Sequence, residues 1–180
     1  MNATIKNVGR ALTVLLLGLF VLGAAAQENL RATLFTQTDE ALKAANAARA
    51  NVLAPKNYAD AAEHYRDAEE KLERGGSIES IKKDLADAAK SLRKAVDATR
   101  LAGVTLTSAI QARNDAEEAN AKQFAAKEWQ AAEEKFASAA MRLEDGNVNS
   151  ARSRAIDAES VIALLSLRQS KRIISMKRGV

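Results

Sequence analysis

Tyr58-Ala-Asp-Ala-Ala-Glu-His-Tyr65 is matched, 71 positions later, by Trp129-Gln-Ala-Ala-Glu-Glu-Lys-Phe136. In each stretch aromatic and alanine side chains recur at helical spacing. The register extends outward on both sides. Leu30, Thr36, Ala41, Ala45, Ala48, Ala50 and Ala54 fall on Leu101, Thr107, Ala112, Ala116, Ala119, Ala121 and Ala125. Leu72-Glu73 and Gly75 fall on Leu143-Glu144 and Gly146, and at an offset of 70 Asp87-Ala88 meets Asp157-Ala158. A unit copied with its packing residues intact cannot bury its apolar face alone, and stacking a second unit against it supplies the missing core.

The periodicity is helical throughout and predicts an all-α, elongated antiparallel helical bundle built from helical hairpins. Leu30, Leu34, Ala41, Ala45, Ala48 and Val52 are spaced to share one helical face. Pro55 suits the first turn of a new helix, where its missing N–H costs nothing. Tyr58, Ala61, Tyr65, Ala68 and Leu72 then form a coiled-coil-like 3-4-3-4 seam that ends at Gly75-Gly76. Ser77 can cap the next helix, whose seam runs Ile78, Ile81, Leu85, Ala88, Leu92, Ala95 and Thr99. Nothing decisive stops that helix. Gly103 beside Thr105 and Thr107 predicts a kink or short break within 102–107. In the second copy Trp129, Ala132, Phe136, Ala139 and Leu143 form the seam, Asp145-Gly146-Asn147 the turn, and a last helix begins near Val148.

The first 26 residues read as an export signal. Lys6 and Arg10 precede an uncharged, mainly apolar run ending in Gly23-Ala24-Ala25-Ala26, and small residues at Ala24 and Ala26 suit signal peptidase. The expected location is a bacterial periplasm, with secretion or an uncleaved signal anchor as alternatives. The run is short for a bilayer core. The absence of cysteine excludes lipidation at this end, disulfides and thiolate chemistry. The expected organisation is a signal peptide at 1–26, a duplicated helical domain at 27–169 (copies about 29–99 and 100–169) and a basic tail at 170–180.

Beyond the signal, the formal charge is +2, and it is unevenly spread. No acidic residue follows Glu159, whereas Arg168, Lys171, Arg172, Lys177 and Arg178 crowd the end and leave the body near −3. A body of such mixed charge is not a nucleic-acid binder. Its core must be thin, because an alanine buries far less apolar area than a leucine.

Ala54-Pro55 followed by Tyr58, Ala61-Ala62, Tyr65, Ala68, Leu72 and Gly75 resembles a family of bacterial envelope proteins carrying an alanine-rich helical domain of unknown function. That domain often stands ahead of an OmpA-like peptidoglycan-binding domain. The likeness covers residues 29 to 99 best, and Ala126 replaces the proline in the second copy. The pattern also has a tetratricopeptide-like look. The resemblance implies an all-helical envelope protein and brings no catalytic residue.

Candidate chemistry is sparse. His64, with Asp60 and Asp67 nearby on a helix, is read as a solvated face rather than a metal site, since Lys135 occupies the matching position. Glu69-Glu70, Glu117-Glu118 and Glu133-Glu134 are adjacent pairs that diverge by about 100° on a helix. No nucleophile elbow, P-loop or zinc spacing occurs. The expectation is a non-enzymatic module with no metal and no cofactor. Tyr58, Tyr65, Trp129 and Phe136 are read as core, with a glycan or peptide groove as the alternative. The cations Arg168, Lys171, Arg172, Lys177 and Arg178 could meet an anionic membrane surface, or could end a packed helix as its dipole favours. The expected partner is an envelope protein, or a second copy through self-association.

Overall fold

The computed structural model describes residues 28–178, with side chains described through residue 165. The expected signal at 1–26 lies outside them. The protein is all-α. Helix α1 spans 28–47; α2 is Ala50–Leu53, α3 Pro55–Glu73, α4 Ile78–Thr105, α5 Thr107–Glu118, α6 Ala121–Phe124, α7 Ala126–Glu144 and α8 Val148–Arg178. No strand occurs among the described residues. The chain runs up α1, down α3, up α4 and α5, down α7 and up α8, with α3 packed along α4 and α7 along α8.

The same construction recurs at the sequence offset. Both α3 and α7 have 19 residues. Each ends in a pair of hydrogen bonds that require a left-handed glycine: Gly75 (φ 69°) and Gly146 (φ 78°). Gly76 N–H donates to the Lys71 carbonyl at 2.7 Å, and Asn147 N–H to that of Arg142 at 2.9 Å. The next helix is capped by Ser77, which accepts from Ser80 N–H at 3.2 Å, and by Asn147, which accepts from Ser150 N–H at 3.1 Å.

Two features differ from a plain reading of periodicity. The face expected from Leu30 to Val52 does not lie on one helix. The chain leaves α1 after residue 47, passes through a left-handed Arg49 (φ 55°), and starts α2 at Ala50. Asn120 (φ 56°) makes the same break before α6. On α1 the large buried side chain is Phe35 (0 % exposed) rather than its neighbour Leu34, which is half-buried, while Ala45 is buried where expected. Phe35 meets the Tyr65 ring edge-on, with centroids 5.4 Å apart.

The expected kink is a one-residue bend. Leu106 (φ −115°) separates α4 from α5, yet its N–H still donates to Ala102 at 2.8 Å and its carbonyl accepts from Ile110 at 2.9 Å. The Thr107 hydroxyl bonds back to the Gly103 carbonyl at 2.6 Å, a geometry that bends helices. Leu106 itself is buried and anchors the bend.

Among the described residues the core forms four clusters. Phe35, Ala68, Leu72, Ile81 and Leu85 fill one end of the first unit, and Ala45, Ala50, Ala54, Ala61, Leu92 and Ala95 the other. In the second unit Leu106, Phe136 and Leu143 centre one cluster, and Trp129, Ile162 and Leu165 the next. Alanine at the contact positions lets the helices approach closely, so the few large side chains carry most of the burial. Phe35→Ala and Phe136→Ala are each expected to destabilise by about 3–5 kcal/mol in chemical denaturation. Asn120→Ala, which keeps a Cβ in the left-handed region but removes the side-chain amide that makes it tolerable there, should cost about 1 kcal/mol, and Asn120→Gly close to nothing.

Candidate interaction surface

The two units meet at the start of α3, through contacts that sequence reading did not anticipate. Helix α3 opens with Pro55 and has no side-chain cap of its own. Glu144, at the end of α7, supplies one: its carboxylate accepts from Lys56 N–H at 3.0 Å and from Asn57 N–H at 2.8 Å. A carboxylate at a helix N-terminus meets both orphan donors and the positive end of the dipole. Beside it Lys56 Nζ pairs with Asp145 at 2.5 Å. Arg49 adds a bond to Asn114 at 3.0 Å and faces Glu117 at 3.8 Å. Under these polar contacts Val52 and Leu53 pack on the cluster of Ala102, Leu106, Phe136 and Leu143. The left-handed Arg49 is what turns α2 towards that cluster.

The aromatic seam divides by unit. Trp129 (8 % exposed) and Phe136 (2 %) are core, as the seam reading expects. Arg113 lies across them, its guanidinium 5.5 Å from the Trp129 ring and 6.0 Å from that of Phe136. It is held by Glu133 through two bonds of 2.7 and 2.8 Å and by Glu117 at 3.0 Å. Tyr58 and Tyr65 are half-buried, with their hydroxyls at the edge. Tyr58 donates to Asn46 at 2.7 Å. Tyr65 donates to Asp39 at 2.5 Å and accepts from Arg31 at 2.9 Å, and Arg31 also reaches Glu69 at 3.0 Å. Burial and the Asp39 carboxylate push the Tyr65 phenol up to about 12.

Among the residues whose side chains are described, the far end of the second unit is open. Phe124, at the position matching Leu53, is 57 % exposed, and Lys127, matching Lys56, is exposed as well. A groove of about 360 Å³ runs beside this end, lined by Ala112, Ala116, Ala121, Ile162 and Leu165, with Asp115 and Glu159. Both acids already have partners, Gln111 at 2.7 Å and Ser108 at 2.6 Å.

His64 is half-buried, and no group of three or more His, Cys, Asp or Glu able to hold a metal occurs among the described residues. The members of Glu69-Glu70, Glu117-Glu118 and Glu133-Glu134 turn to different partners: Glu69 to Arg31, Glu70 to Arg74, Glu117 and Glu133 to Arg113. Arg168, Lys171, Arg172, Lys177 and Arg178 lie on α8, which remains helical to Arg178; their side chains lie outside the described set. No described helix is long and apolar enough to cross a membrane.

Arg31, Arg49 and Glu144 left one signal in the sequence, namely the positions where two otherwise matching units differ or where a shared acid falls at a helix end. Comparison with family models, curated proteins and solved structures finds no match for this chain. The class is therefore defined by the fold alone: an all-α bundle of helical hairpins.

Burial raises the Glu144 carboxyl above its ordinary value, against the backbone donors that lower it. A raised folded-state pKa means that folding takes up a proton. Glu144 therefore contributes more stability below its unfolded pKa, and that contribution is lost as pH rises through the folded value. The stability of the natural chain relative to Glu144→Gln should rise as pH falls from 7 through the carboxylate range. A relative fall in paired denaturation curves would mean that the N–H groups outweigh desolvation.

Proposed function

We propose that the protein is a non-enzymatic binding or scaffolding module of the bacterial cell envelope, working in the periplasm through helix-face contacts with a protein partner. One observation carries this reading. Phe124 and Lys127 stand at the positions matching Leu53 and Lys56, by which the first unit grips the second, and both are turned to solvent, with Gln123 in the place of Val52. Exposed aromatic side chains on a rigid element are the usual anchors of protein interfaces. The export pattern at 1–26 supports the location. The polar groups near the groove are consumed by internal bonds, which argues for surface recognition over small-molecule chemistry.

A photo-crosslinking residue at Phe124, in the exported protein in living cells, should give a discrete adduct in the envelope fraction. The same residue at Lys90, on the exposed outer side of α4, should not. Matching adducts from both positions, or none from Phe124, would sink the reading. Recovery of the chain from the cytoplasm with residues 1–26 intact would remove the location independently.

A further inference from the structure

Superposing the two units by sequence position asks what a third unit would meet at each end of the pair. In the internal junction, the receiving face of the second unit is apolar: Ala102 and Ala140 are fully buried, Ile110 is half-buried, and Phe136 lies beneath. A glutamate and an aspartate, Glu144 and Asp145, complete it by meeting the start of α3 and Lys56. The equivalent positions of the first unit are Arg31, Glu69, Asp39 and Tyr65, followed by Glu73 and Arg74. Four of these form a closed polar cluster. Arg31 bonds Tyr65 and Glu69, Tyr65 bonds Asp39, and Arg31 lies 3.7 Å from Asp39. Arg31 also stacks over Phe35 at 4.8 Å, covering the core end. The site that in the second unit receives Val52 and Leu53 is thus filled by charge in the first. Where Asp145 attracts Lys56, Arg74 would repel Lys127.

We infer that the Arg31–Asp39–Tyr65–Glu69 cluster, with Arg74, is a stop: it prevents the open Phe124 end of one molecule from adding to the first unit of another. The partner that end accepts is then a helical unit of a different protein, with an alanine and aliphatic receiving face and acidic residues at the end of its middle helix. Repeat arrays need polar terminal faces to remain soluble, and the ion cluster gives the first unit such a face, while the second unit's end exposes Phe124 among its described residues. Two like charges, and a half-exposed ion cluster that a neighbour would have to strip of water, are the barrier, so removing them should be enough to let the ends join. This inference rests on reading the Phe124 end as a binding end, but its test uses only the purified chain. A failed crosslink in cells and a failed assembly in solution are therefore separate results.

The receiving face can be transplanted onto the first unit with Arg31→Ala, Asp39→Ile, Tyr65→Phe, Glu69→Ala and Arg74→Asp. Sedimentation velocity should find the variant forming end-to-end chains at concentrations at least about tenfold below any at which the natural protein does so, the effect of one removed clash of about 1.4 kcal/mol. Adding Phe124→Glu should return it to monomers. A folded variant that stays monomeric, or chains that survive Phe124→Glu, would overturn the inference. So would a natural protein that already polymerises through Phe124. If the fivefold variant loses its helical circular dichroism, Asp39→Ile with Arg74→Asp decides, since it leaves Arg31, Tyr65 and Glu69 in place. It must assemble more readily than the natural chain, and equal behaviour counts against the stop.

Discussion

A helix that begins with proline and lacks its own cap must find an acceptor elsewhere, and α3 finds Glu144 at the far end of α7. The rest of the architecture follows from that contact. It sets the spacing of the units, brings Lys56 against Asp145, and holds α2 where Val52 and Leu53 can enter the second unit's core. The carboxylate is half-buried and raised in pKa by that burial, so the joint carries a desolvation cost set against two charge-assisted hydrogen bonds.

Much of the architecture is legible in the sequence because the seams repeat. Tyr58, Ala61, Tyr65, Ala68 and Leu72 announce a helix by spacing, and glycine at 75 and 146 ends each middle helix for a steric reason that needs no tertiary information. The bend at Leu106 was signalled by the glycine and threonines around it. Other features were hidden. Arg49 is a poor left-handed residue, and its bond to Asn114, its ion pair with Glu117 and the packing of α2 hold it there. Phe35 does not stand out in the sequence because Leu30 and Leu34 already satisfy a helical step, although the bulkier ring takes the buried position.

The interaction surface was less legible for a related reason. Periodicity finds what the two copies share, and the surface is written in what they do not share. Arg31 against Ala102, Asp39 against Ile110 and Glu69 against Ala140 are conspicuous only once the first unit's end is seen to be the place a neighbour would occupy. The aromatic seam illustrates the same division. Trp129 and Phe136 are enclosed and held by Arg113, while their counterparts Tyr58 and Tyr65 carry hydroxyls to the rim.

The bend at Leu106 has a mechanical side. Because its backbone bonds bridge α4 and α5, the units share a continuous strut rather than a flexible linker, and neither can swivel freely about the other. Tension applied along the rod would pass through that strut and load the Glu144 clasp in shear. Such an element suits holding two attached bodies at a set distance and orientation better than tethering them loosely.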